Sequence, residues 1–162
     1  MEFVRQAVVA TLLVAASLVF QCAGMAFIIR WARACLGRAT IGLSPWRASV
    51  LMIRFTTALI VLHITQILLW AAFYRRQCLP TWESSFYFSA ATYSTVGYGD
   101  IVLPQIWRVM SPVEALTGVL MCGMSVSALF VLATKLIGAE TSPSSRGKRR
   151  PNREIKRVTL SS

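Results

Sequence analysis

The sequence predicts an all-α membrane protein with three transmembrane helices and, between the second and third, a short re-entrant helix and loop. Three observations carry that expectation. Of the 162 residues 56% are apolar and the mean hydropathy is +0.59, too high for an ordinary soluble domain of this length. Three runs, residues 7–29, 48–73 and 113–137, reach the roughly 20 apolar positions that a hydrocarbon core about 30 Å thick requires. The segment between the last two runs is too short to cross and return as two helices. It holds a hexapeptide punctuated by glycines, Thr95-Val96-Gly97-Tyr98-Gly99-Asp100. Non-helical backbone at membrane depth is tolerated only where protein or a water-filled path satisfies it.

That hexapeptide can turn successive carbonyl oxygens to one side, because glycine adopts positive φ at little steric cost and Gly97 and Gly99 recur at every second position. A ring of such segments would replace the water shell of a dehydrated cation with main-chain oxygen. Here the chain resembles the potassium-channel superfamily, whose selectivity filter has the core TVGYG. The match runs through Asp100, and the preceding Thr92-Tyr93-Ser94-Thr95 departs from the usual lead-in only at Ser94. The resemblance is to the bacterial two-span pore-domain type, with one additional N-terminal transmembrane helix. It implies a passive potassium-selective channel and a homotetramer, since one strand cannot enclose an ion. Ion sites would be built from the carbonyls of Thr95, Val96, Gly97 and Tyr98 with the Thr95 hydroxyl, and Gly99 would complete the filter. Filter support would come from Thr92, Ser94, Asp100, Tyr87 and Trp82. Permeant K+ is the only bound species implied, with no organic cofactor. The competing readings are a non-conducting or regulatory channel subunit, a weakly selective cation channel, and a Gly-rich surface turn.

In chain order, residues 1–47 form the N-terminal helix and a basic connection. Arg5, the apolar run and the small residues near Gly24 imitate a secretory signal. The run nevertheless continues to Ile29, about twice the length of a signal core, and stops at Arg30-Trp31-Ala32-Arg33. It is read as a retained helix with its N-terminus outside, serving peripheral packing or assembly. Gly37, Gly42 and Pro45 break the connection, and Trp31 and Trp46 suit the interface.

Residues 48–138 form the pore domain, beginning with an outer helix over 48–73. Arg54 lies close enough to its inner end to snorkel. His63 is central and has two readings: an imidazole hydrogen-bonded to a neighbouring helix, with Thr65 or Gln66 as candidate partners, or a proton sensor. No arginine recurs at every third position through a span, so no voltage sensor is expected. Arg75, Arg76, Pro80 and Trp82 mark the outer surface, and a pore helix follows over 84–94, with Ser84 and Ser85 as expected caps and Glu83 at its positive end. Phe86, Tyr87, Phe88 and Tyr93 supply an aromatic cuff. Some bacterial members carry a buried Glu where this chain has Ala91, so Asp100 needs another partner, Tyr87 or Trp82.

After the filter, residues 95–100, Trp107 anchors the interface and Pro112 opens an inner helix over 112–137. Glu114 has two readings, a structural bond to the outer turn or Arg108, or a cation attractor at the mouth. Gly118 and Gly123 read equally as a gating hinge or as close-packing positions. Val119, Cys122, Val126 and Phe130 recur at helical spacing and are the candidate cavity wall. The tail, 139–162, is basic and too polar to fold alone, and its cluster around Arg149 is expected to meet anionic lipid.

The net charge of +11 raises nucleic acid as a partner, so placement decides. With the filter opening outward, the whole excess falls on the cytoplasmic side, from Arg30, Arg33, Arg38, Arg47, Arg54, Lys135 and the tail, while the outer side is neutral. That is the positive-inside pattern of a bacterial inner membrane protein with its C-terminus in the cytoplasm. No nucleic-acid partner is expected. Cys22, Cys35, Cys78 and Cys122 lack ligand spacing; Cys78 in the outer loop reads as a free thiol or a bridge between subunits. His63 is the only histidine and has no nucleophile or metal cluster around it in sequence, so no enzyme is expected.

Overall fold

The computed structural model describes residues 2–37 and 45–141. Three helices, α1 (Glu2–Gly37), α2 (Pro45–Gln77) and α4 (Met110–Thr141), are long and apolar enough to cross a membrane. A shorter α3 (Trp82–Tyr93) stands between α2 and α4, and a single 3₁₀ turn, Gln105–Trp107, precedes α4. No strand occurs among the described residues. The chain is an all-α integral membrane protein.

Each long helix overruns its apolar run. α1, α2 and α4 have 36, 33 and 32 residues, about 50 Å each at 1.5 Å per residue, against a core of roughly 30 Å. Hydropathy reports only the side chains, whereas backbone hydrogen bonding carries a helix on into its polar flanks. Pro45 is tolerated as the first residue of α2, and Arg75 and Arg76 fall in its last turn beside the negative end of the helix. α4 runs to Thr141, beyond the expected 137; the remainder of the basic tail, from 142, lies outside the described residues, as do 38–44 of the connection.

α3 also starts earlier than expected, and its cap is Thr81 rather than Ser84 or Ser85. Thr81 is extended (φ −130°, ψ 156°), and its Oγ1 accepts from the Ser84 N–H at 3.1 Å. Ser84 and Ser85 already lie in the first turn, where Ser85 Oγ donates back to the Thr81 carbonyl at 2.8 Å. Glu83 takes its place in the positive first turn.

Against lipid, apolar surface gains little by meeting another helix, so helices in a bilayer are held by close packing and polar bonds. α1 packs on both α2 and α4 by these means. The Gln66 amide donates to the Ser17 carbonyl at 2.8 Å, and the Trp70 indole N–H to Ser17 Oγ at 3.1 Å. The Gln21 amide crosses to α4, reaching Ser125 Oγ at 3.1 Å and the Met121 carbonyl at 3.3 Å. Two apolar clusters flank this polar layer. One joins Ile28, Phe55, Leu59 and Leu132; the other, toward α3, joins Trp70, Tyr74, Phe88 and Trp107. Edge-on ring pairs, Phe73 on Trp107 at 5.2 Å and Tyr74 on Phe88 at 5.0 Å, seat the 3₁₀ turn and α3 against α2. Arg54 sits over the Trp31 ring, 5.1 Å from its centroid, a cation–π contact between α1 and α2.

Candidate functional site

The loop after α3 alternates in handedness. Ser94 is right-handed (φ −78°), and Thr95, Gly97 and Gly99 have φ of 62°, 53° and 77°. Val96 and Tyr98, between them, are not in the left-handed region. Alternation of this kind brings successive carbonyl oxygens to one side of the strand. The amides are tied back to the helix: Thr95 N–H donates to the Thr92 carbonyl at 2.9 Å and Gly97 N–H to the Ala91 carbonyl at 3.0 Å. Ser94 Oγ adds a bond of 2.7 Å to the Ala90 carbonyl. The loop residues are themselves largely uncovered in the single chain, Val96 at 54% and Tyr98 at 72% exposed.

Glycine answers two of the three left-handed positions, and Thr95 is the third. Its Oγ1 donates to the Ser94 carbonyl at 2.6 Å. A β-branched residue rarely adopts this conformation. Residue type offered no hint of it.

Behind the loop, the Tyr87 and Tyr98 rings stack at 6.4 Å with planes 10° apart. The Tyr87 hydroxyl donates to Asp100, and that bond holds the phenol above its ordinary range. Tyr87 is thus the partner of Asp100. Trp82 makes no bond to Asp100 within the chain: it is the first residue of α3, 58% exposed, and roughly 140° round the helix from Tyr87. Thr92 is buried at the base of the loop. Ala91, Thr92, Asp100, Arg108 and Ser111 line a cavity of about 210 Å³ between the loop and the helices.

Two polar nodes hold α3 in place. Glu114 is fully buried, and its carboxyl oxygens meet Tyr74 Oη at 2.7 Å and Ser89 Oγ at 2.5 Å, joining α4 to α2 and α3. Arg108 is not its partner. His63 meets Tyr93 Oη through Nδ1 and Ser125 Oγ through Nε2, both at 3.0 Å. Thr65 and Gln66 are otherwise engaged, with the Val61 and Ser17 carbonyls. Since Ser125 also receives the Gln21 amide, a continuous polar path runs from α1 through α4 and α2 to the end of α3, two residues before Thr95. Tyr74, Ser89, Gln21 and Ser125 were not singled out in sequence.

Gly118 and Gly123 separate. A Cβ at Gly118 would overlap the Tyr93 carbonyl oxygen, so close approach of α4 to α3 requires glycine there; Gly123 faces open space. Val119, Val126 and Phe130, at 55%, 64% and 69% exposure, lie with exposed Cys122 along an uncovered strip of α4.

The last two of the three apolar helices thus enclose a short helix and a loop in which left-handed backbone recurs at every second residue. The family described as "Ion channel" matches residues 50–135, more than half of the chain and the whole of α3 and the loop. The chain belongs to that family. No curated protein and no solved structure matches it.

Proposed function

We propose that the chain is the subunit of a potassium-selective channel, four copies of which meet around an axis so that their loops enclose the ion path. The observation that carries this reading is the alternation of backbone handedness through Thr95, Gly97 and Gly99, with the amides of Thr95 and Gly97 spent on α3. Potassium gives up its hydration shell to the carbonyls of Thr95, Val96, Gly97 and Tyr98 and to the Thr95 hydroxyl. Several adjacent sites let each ion bind well enough to enter and be displaced by the next. Tyr98, braced on Tyr87, and Asp100, held by the same residue, keep the loop at one diameter. The negative end of α3 favours a cation just below the loop.

The distribution of charge supports a cytoplasmic C-terminus and an N-terminus outside, in a bacterial inner membrane. Purified chain reconstituted alone in liposomes tests the proposal. Potassium flux well above sodium flux is expected. Equal flux of the two ions would refute selectivity, and no flux of either would favour the silent-subunit reading. Gly99→Ala should insert normally and abolish conduction, because a side chain is strained at φ 77°.

A further inference from the structure

Between α1 and α4, toward the ends at Gly37 and Thr141, lies a groove of about 250 Å³. Its floor is Phe55 and Leu132, 2% and 5% exposed, and its walls include Ile29 and Val131. Lys135 and Arg33 complete the lining; both side chains are exposed, and neither makes an ion pair with a described residue. Along α4 the lining runs from Ser127 to Lys135, about 12 Å at 1.5 Å per residue. An apolar trough closed at one end by two cations takes an amphiphile with a negative head. Water does not suit the trough, and the basic tail of the chain itself is repelled by the cations.

We propose that this groove binds an anionic phospholipid, one acyl chain lying along Ile29, Phe55, Val131 and Leu132 and the phosphate held by Arg33 and Lys135. Guanidinium and ammonium groups both give charge-assisted bonds to phosphate oxygen. Under the orientation proposed above, the lipid comes from the inner leaflet; that assignment of leaflet rests on the proposed topology, and the binding itself does not. The site explains a use for α1, which lies wholly before the matched segment and brings one of the two cations. Arg54 stands nearby in sequence on α2 but is already engaged by Trp31.

Native mass spectrometry of the full chain, purified in detergent and offered phosphatidylglycerol or phosphatidylcholine of the same acyl chains, tests the proposal. Wild type is expected to retain phosphatidylglycerol in preference. Arg33→Gln with Lys135→Gln should lower that preference roughly thirtyfold, and either change alone about fivefold. Arg54→Gln should leave it unchanged. Val131→Trp, at an exposed wall position, fills the trough while keeping both cations, and should release the lipid. Equal retention of the two lipids by wild type would overturn the proposal. So would a preference that survives the double variant, or retention unaffected by Val131→Trp, since either places the lipid elsewhere. Helix content by circular dichroism verifies that each variant is folded. Lipid retention does not depend on ion passage, so loss of the channel reading and loss of this one give different results.

Discussion

Thr95 meets the severest local demand in the chain. Left-handed backbone costs an ordinary residue about 1–2 kcal/mol, and Thr95 holds it at φ 62° between two hydrogen bonds. On the proposed function, glycine there would forfeit the hydroxyl assigned to the ion path. Thr95→Gly is therefore expected to insert and assemble as wild type but to lower the potassium-over-sodium flux ratio; an unchanged ratio would remove the hydroxyl from the ion path. Cys78, just past α2, is a second residue with a definite chemical consequence. Burial pushes its thiol up to about 11, so that at pH 8 roughly one molecule in a thousand is thiolate. Alkylation at Cys78 should be slow at pH 8 and quicken about tenfold per pH unit until near pH 11. A rate that levels off between pH 8 and 9 would mean the thiol is open to water.

At the scale of elements, the helices are joined by polar bonds whose loss has a calculable cost. Ser17→Ala strips the Trp70 indole N–H of its acceptor in a fully buried place, worth about 1–3 kcal/mol of stability. Glu114→Leu leaves Tyr74 and Ser89 without their shared partner and should cost at least as much, whereas Glu114→Gln keeps bonds to both. Unfolding in mixed detergent measures the series; equal stability of the Leu and Gln variants would show that the node does not hold α3. These joints explain what could be foreseen. The three spans and the loop were legible because each depends on local chemistry, apolar length in one case and glycine at alternate positions in the other. Helix ends were not, since α2 continues through Arg75 and Arg76 by backbone bonding that hydropathy does not register. The partners of His63 lie 30 and 62 positions away and could not be read from its neighbours. One signal was present and unused: His63, Gln66, Trp70 and Tyr74 recur at helical spacing, a stripe of polar-tipped side chains on one face of an apolar span, and each bonds to another helix.

For the whole molecule, the single chain leaves uncovered the surfaces that an assembly would use. Val96, Tyr98, Val126 and Phe130 are all more than half exposed, apolar surface that copies meeting around an axis would cover. Native mass measurement of the purified protein is expected to give four copies, and a predominantly monomeric species would set aside the shared-axis proposal. The resemblance carried by six residues pointed to that assembly. The contacts that bind one chain together, by contrast, became visible only once α1 was placed across α2 and α4.

The meeting of Gly118 with the Tyr93 carbonyl gives α4 a fulcrum. From that point to Gly138 the helix extends about 30 Å, so a tilt of roughly 10° about the contact would swing the far end by about 5 Å while hardly displacing the residues beside the loop. On the proposed function, a long lever pivoted next to the loop would open or shut a passage at its distant tip and leave the coordinating oxygens where they were.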